Sequence, residues 1–158
     1  AIYDAKKSIF IQSPYFIPPD SMLLALQSAA KRGIDVRLMV SARSDVPLVQ
    51  LASKSFIQET IQHGVKVYMY EGGFLHSKLM VFDQSLTLIG SVNFDFRSFE
   101  HNFEVEAFIY DKTLADEATQ IFIQDQHSSQ IVSLRNWVKR SKWQKFIESI
   151  MRLFAPLM

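Results

Sequence analysis

The stretch Ile34-Asp35-Val36-Arg37-Leu38-Met39-Val40-Ser41 decides the fold, because it reads as a strand held between two helices. Val36, Leu38 and Val40 alternate with Arg37 and Met39, the period-two pattern of a pleated segment. Upstream, Asp20 or Ser21 can cap a helix reaching about Arg32. Met22, Leu23, Leu26 and Ala29 or Ala30 form its inner side, and Gly33 is its stop. Before it, residues 8–13 read as a buried strand, closed by Pro14 and the Pro18–Pro19 pair. Downstream, Pro47 opens a second helix that ends near His63, Gly64 caps it, and residues 65–70 form a third strand. Strand–helix–strand–helix–strand is the order of parallel strands joined by crossover helices.

The rhythm then changes. Residues 74–82, 86–91 and 103–110 read as strands with short connections, so some antiparallel pairing enters the sheet. Asp111 caps a helix with Leu114, Ala118, Ile121 and Phe122 inward. The expectation is an α/β domain whose mixed, mostly parallel sheet carries helices on both faces. Residues 1–133 make its body, and 134–158 form a basic amphipathic helical segment packed on the same domain. In that tail Leu134, Trp137, Val138, Phe146, Ile147, Ile150 and Phe154 recur at helical spacing, with a break near Ser141. Closing the core is the favoured reading of this segment. The second is a helix lying at a lipid interface, with Trp137 and Trp143 near headgroups.

A chain of 158 residues with 48% hydrophobic composition is of ordinary globular type, with no repeat and no low-complexity run. Its net charge of +1 is unevenly spread. Residues 134–158 hold Arg135, Lys139, Arg140, Lys142, Lys145 and Arg152 against Glu148 alone, an excess of +5, which leaves −4 for the rest. That balance argues against a nucleic-acid partner and puts any attraction to an anionic membrane surface in the tail. With no cysteine there is no disulfide and no zinc–thiolate site. No stretch reaches the roughly 18–20 apolar residues of a membrane span. The opening Ala1-Ile2-Tyr3-Asp4-Ala5-Lys6-Lys7 reads as the end of a helix entering a strand, as in a piece of a longer protein; removal of an initiator methionine before Ala1 is the other reading.

The chemistry concentrates in Leu75-His76-Ser77-Lys78-Leu79-Met80-Val81-Phe82-Asp83 and Gly90-Ser91-Val92-Asn93. On a strand His76 and Lys78 share a face, and Ser91 and Asn93 can share a face next door. One imidazole, one ammonium, one hydroxyl and one amide suit a phosphodiester. The imidazole serves as nucleophile or proton donor near neutral pH, and the other groups hold non-bridging oxygens. A histidine in this work needs its second nitrogen held, usually by a carboxylate. Glu104 and Glu106 both have the right parity, and spacing leaves the choice open. Asp83 has the opposite parity from His76 and reads as a turn or packing carboxylate.

The spacing His-x-Lys-x4-Asp-x6-Gly-Ser-x-Asn, met by His76, Lys78, Asp83, Gly90, Ser91 and Asn93, resembles the signature of the phospholipase D superfamily. The segments 13–18, 71–76, 93–98, 102–105 and 153–157 are similar to the C-terminal half of bacterial cardiolipin synthases, and the likeness covers nearly the whole chain. It implies a phospholipase D-like sandwich and Glu104 as the carboxylate behind the histidine. It also implies a mainly structural Asp83 and a phosphatidyl transfer between two phosphatidylglycerol molecules through a phosphohistidine, without metal or cofactor. Such synthases carry two motifs and N-terminal membrane segments, whereas this chain has one motif; His63, His101 and His127 lack the spacing. The resemblance therefore implies a partner half, either the N-terminal half of a parent enzyme or a second copy. It also implies a parent at a bacterial cell membrane with this domain on the cytoplasmic face, the chain itself being soluble or peripheral.

Other residues keep two readings. Tyr15 lines the pocket mouth or packs beside the prolines. Arg97 contacts phosphate or ties a loop. Phe74 meets substrate or is buried, and Gly72 and Gly73 let the chain turn. Two rival functions remain: a homodimeric single-motif phosphodiesterase or nuclease, and a non-catalytic domain that binds phosphate or anionic lipid.

Overall fold

The computed structural model describes residues 1–157. The chain runs through β1 (Ser8–Gln12), β2 (Phe16–Ile17), α1 (Asp20–Lys31), β3 (Asp35–Ser41), α2 (Pro47–Gln62) and β4 (Lys66–Tyr70). It continues through β5 (Leu79–Phe82), β6 (Leu86–Gly90), β7 (Phe94–Asp95), α3 (Phe96–Glu100) and β8 (Glu106–Ile109). Last come α4 (Lys112–His127), β9 (Ser129–Ile131), α5 (Leu134–Trp137) and α6 (Lys142–Leu153), followed by a 3-10 turn at Ala155–Leu157.

A seven-stranded sheet in the order β8-β6-β5-β1-β3-β4-β9 forms the middle layer. Alternation along its strands feeds two cores. Ile9, Ile11, Leu38, Val40, Met80 and Phe82 pack with α1 and α2 on one face. Phe10, Met39, Leu79 and Val81 pack beneath Ala115, Ala118 and Phe122 of α4 on the other. Met39, on the side opposite Leu38, is fully buried because α4 covers that face too. Helices on both faces are as expected from the sequence.

The balance of pairings differs from the expectation of a mostly parallel sheet. Only β1–β3 and β3–β4 are parallel, while β1–β5, β5–β6, β6–β8 and β4–β9 are antiparallel. The crossover helices α1 and α2 set the parallel pairs, but beyond β4 the connections are turns or a returning helix, which reverse direction. The expected strand at 74–82 begins only at Leu79, whose partners are Gln12, the last residue of β1, and Ile89; residues 75–78 lie outside the ladder. Likewise, 103–105 lead into β8 without belonging to it, and β9 went unread. On α4 the inward set is Ala115, Ala118, Thr119 and Phe122, and Ile121 is exposed.

Two of the expected helix starts follow capping chemistry, whereas α1 begins after Pro19 with no side-chain cap from Asp20 or Ser21. Asp111 accepts from the Leu114 N–H at 2.8 Å, Ser141 accepts from Gln144 at 3.1 Å, and Pro47 occupies the first turn of α2. The β5–β6 hairpin closes through Ser85 N–H donating to the Phe82 carbonyl at 3.0 Å, with Asp83 and Gln84 at φ 52° and 53°. Two left-handed residues define a type I′ turn, which suits hairpin twist but favours Asn, Asp or Gly. Asp83 accepts from the backbone N–H groups of Lys6, Lys7 and Ser8 at 2.8, 2.7 and 2.9 Å, tying this turn to the start of β1.

Two outcomes follow from this turn. Gln84→Gly should raise stability by about 0.5–1 kcal/mol in denaturant melts, since a side chain leaves a left-handed position. For Asp83, burial alone raises the carboxyl, but the Ser8, Lys6 and Lys7 N–H groups outweigh it and hold it below the ordinary value. A depressed carboxyl contributes stability above its unfolded pKa of about 3.9 and loses it as pH falls through the folded value. Asp83→Asn should therefore cost about 1–2 kcal/mol at neutral pH, with the difference from the parent chain shrinking in acid.

Candidate active site

The catalytic-type residues gather where β1 and β6 end and the chain approaches β5. Leu75 is buried in the second core, and its N–H donates to Ser41 Oγ at 3.3 Å, so the segment is pinned immediately before His76. His76 is exposed, its ring 5.5 Å from that of Phe74. Lys78 is half-buried, with Nζ 3.4 Å from each ring nitrogen of His76 and donating to the His76 carbonyl at 3.0 Å. The pair expected from spacing does converge, although on an extended lead-in rather than within the strand. Burial pushes the Lys78 ammonium below its ordinary pKa, and the charges of Glu104 and Asp95 resist that.

Gly90 brings the other wall close. It pairs with Glu106 of β8, and a β-carbon at 90 would collide with the Val105 carbonyl and the Glu106 carboxylate. Just beyond, Ser91 N–H donates to the Val105 carbonyl at 2.9 Å, and Ser91 Oγ accepts from the Val105 N–H at 3.0 Å and donates to Glu104 Oε2. Glu104 Oε1 accepts from Ser98 Oγ at 3.2 Å and from Asn102 Nδ2 at 3.1 Å. The Ser91 hydroxyl, with Asn102, Ser98 and the Lys78 charge, holds the Glu104 carboxyl below its ordinary range against the effect of burial.

This differs from the expectation that Glu104 grips the imidazole. Among the described residues its hydrogen bonds run to Ser91, Ser98 and Asn102, and its charge reaches Lys78. The physical reason is position: Glu104 sits on the lead-in to β8, facing α3 and the end of β6. Glu106, the alternative of equal parity, points elsewhere. It lines an apolar cavity of about 430 Å³ with Met80, Phe82, Leu88 and Phe99, and burial, then the Glu104 charge, raises its carboxyl.

Asn93 stands at the rim of this cluster. Its N–H donates to Ser98 Oγ at 3.2 Å, and its side-chain oxygen is buried with no hydrogen-bond partner among the described residues. The short parallel pair β2–β7 then ties the Tyr15 segment to the Asn93 segment, with Ser13 Oγ accepting from the Phe94 N–H at 2.9 Å. Tyr15 donates to Asp45 Oδ1 at 2.7 Å; burial first, then that bond, pushes its hydroxyl pKa up to about 12. Arg97 is exposed on α3; its carbonyl accepts from the His101 and Asn102 N–H groups at 2.9 and 2.8 Å, and its guanidinium makes no hydrogen bond among the described residues.

The sequence reading passed over Asp95, Ser98 and Asn102. Asp95 is buried, accepts from the Ser98 N–H at 2.8 Å as the cap of α3, and its charge reaches both Lys78 and Tyr15. The Asp-x-x-Ser spacing of 95–98 was the available signal for a helix cap. Nothing local marks Ser98 or Asn102 as carboxylate partners.

Known proteins resemble this chain in sequence and in fold. Residues 1–126 match the family model described as cardiolipin synthase, PLD-like domain. The chain is 43% identical over 157 residues to cardiolipin synthase 1 of Staphylococcus epidermidis and 41% identical over 154 residues to the cardiolipin synthase of Listeria welshimeri. These alignments take in 99% and 98% of the chain but 32% of each relative, so it spans about a third of their length. Among solved structures, Nuc of Salmonella typhimurium, a phospholipase D family member, superposes with a TM-score of 0.72 at 25% identity, covering 84% of this chain and 86% of Nuc. The phosphatidylserine synthase of Haemophilus influenzae shares the fold, with a TM-score of 0.77 at 16% identity over 99% of this chain and 41% of that one. On its own residues and on these likenesses, the chain belongs to the phospholipase D-like domain family of cardiolipin synthases.

Proposed function

We propose that this chain supplies one of two histidine half-sites of a cardiolipin synthase that joins two phosphatidylglycerol molecules into cardiolipin and glycerol. The observation that carries the reading is the Lys78 ammonium 3.4 Å from both nitrogens of an exposed imidazole, beside the Ser91–Glu104 clasp. In the first step a histidine nitrogen bonds to phosphorus while the phosphorus–oxygen bond to glycerol breaks, and the second histidine protonates the leaving alkoxide. In the second step the primary hydroxyl of another phosphatidylglycerol bonds to phosphorus, the phosphorus–nitrogen bond breaks, and the proton returns. His76 fills one of these two places. Lys78 neutralises non-bridging oxygens, and the Asn93 side-chain NH2 donates to the same group. Ser91 braces the pocket, and Glu104 steadies Ser91 and balances Lys78. Tyr15 and Arg97 lie at the substrate side, and Asp83 and Gly90 shape the frame.

A partner half is supported by the surface beside the site. Strand β8 ends the sheet, and Phe103, Val105, Phe108 and Tyr110 along it and its lead-in are exposed. An open apolar edge of this kind is a pairing surface. Either the N-terminal half of a parent enzyme or a second copy completes the site there. No described helix is long and apolar enough to cross a membrane. The parent is proposed to work at a bacterial cell membrane with this domain on the cytoplasmic side. The second reading, a homodimeric phosphodiesterase or nuclease, draws on the likeness to Nuc over most of that chain. The −4 balance of residues 1–133 weighs against nucleic acid as its substrate.

Purified at low concentration, the chain should form little cardiolipin from phosphatidylglycerol, with turnover appearing on addition of the missing half or at concentrations that dimerise it. Rapid turnover by a proven monomer would refute the half-site. Cleavage of plasmid DNA in place of lipid transfer would favour the second reading, and phosphate binding without turnover in any assembly would leave only a binding domain. In the assembled enzyme His76→Ala should lower turnover by about 10³-fold or more. Glu104→Gln should lower it about 10–100-fold without shifting the thermal midpoint greatly.

A further inference from the structure

Helix α6 is packed with its polar side inward. A surface helix ordinarily buries its apolar stripe and shows water its charges. Here Glu148, buried against α2, accepts from both terminal nitrogens of Arg140 at 2.6 and 3.0 Å. Arg152 pairs with Glu59 of α2 at 2.9 Å and lies over the Phe56 ring at 4.2 Å. The opposite side carries Trp143, Phe146, Ile150, Leu153, Phe154 and Leu157, at spacings of three and four. Trp143, Phe146, Leu153 and Leu157 are 68%, 55%, 78% and 79% exposed. The Trp143 and Phe146 rings stack in solvent at 5.7 Å. Val138, Phe146 and Phe154, which the sequence placed in the core, are thus exposed, while Trp137 and Met151 hold the segment to the domain.

The charge around this stripe is of one sign. Glu148 is the only acid beyond residue 133, and it is buried and engaged with Arg140. Arg135, Lys139 and Lys142 are exposed, so the charges that the tail itself shows to water are basic. A second copy stacked on this face would set these cations against their equivalents, which disfavours it. A surface rich in lipid phosphates meets both the apolar stripe and the basic rim. The stripe also ends at the Ala155–Leu157 turn, which packs on α3, and Ser98 of α3 bonds to Glu104.

We propose that the outer face of α6 docks on an anionic lipid bilayer, with Trp143 and Phe146 among the headgroups and Lys139 and Lys142 against lipid phosphates. The docking is separate from phosphatidyl transfer and stands whether or not His76 is catalytic. The test is sedimentation of the chain with vesicles of phosphatidylglycerol mixed with phosphatidylcholine, and with phosphatidylcholine alone, at physiological salt. The chain should follow the anionic vesicles with a blue shift in tryptophan emission. Trp143→Ser with Phe146→Ser should weaken partitioning at least about tenfold, and so should Lys139→Glu with Lys142→Glu. All four side chains are exposed, and unchanged thermal midpoints would confirm that the variants fold. Lys78→Ala should partition as the parent chain does. Three results would overturn the proposal: no binding to anionic vesicles, equal partitioning of both double variants and the parent chain, or binding lost with Lys78→Ala, which would place the lipid at the active site. A dimer abolished by Trp143→Ser and Phe146→Ser without vesicle binding would assign the face to a second copy instead.

Discussion

An ammonium half-withdrawn from water beside an imidazole is the arrangement around which the candidate site is built. Lys78 sits 3.4 Å from both nitrogens of His76, and burial works against its charge. Left uncompensated, such a group would shed its proton or swing into solvent, and a phosphate would meet no fixed cation. Glu104 and Asp95 supply the balance, and each is held by other donors. Asp95 caps α3, while Glu104 receives Ser91, Ser98 and Asn102. The site is therefore a charge network anchored at three places in the chain, and the close approach of β6 and β8 at Gly90 lets its two walls meet.

The sheet explains why those walls stand where they do. Both faces of its centre are covered, one by α1 and α2 and the other by α4, so β1, β3 and β5 are fixed from above and below. β5 starts opposite the last residue of β1, and the chain before it leaves the ladder with Leu75 buried and His76 exposed. A side chain on such a lead-in is open to solvent yet placed by a packed strand a few residues away. The small β2–β7 sheet adds a second tie, joining the Tyr15 segment to the Asn93 segment across the Phe16–Phe94 stack at 5.7 Å.

Two surfaces remain apolar after this packing: the open edge along β8 and the outer side of α6. The α6 surface has the exposed Arg135, Lys139 and Lys142 on its own segment.

The order of β1, α1, β3, α2 and β4 was written in the sequence, because period-two and period-3.6 patterning and the signals at Pro47, Gly33 and Gly64 are local. So was the His76–Lys78 pairing, which needs only an extended chain, and the capping role of Asp111, which needs only its neighbours. The antiparallel majority of the sheet was not legible, since β8 and β9 choose partners far away in sequence. β2 and β7, of two residues each, are too short to carry a period. The direction in which α6 presents its stripe was equally hidden: apolar residues at helical spacing look the same whether turned toward a core or away from it. The Arg152–Glu59 ion pair, made across the fold, and the burial of Glu148 settled which side faces inward. In the same way, parity admitted both Glu104 and Glu106 as partners of the site. The tertiary structure separated them, placing one carboxylate within reach of the Lys78 charge and the other in an apolar cavity.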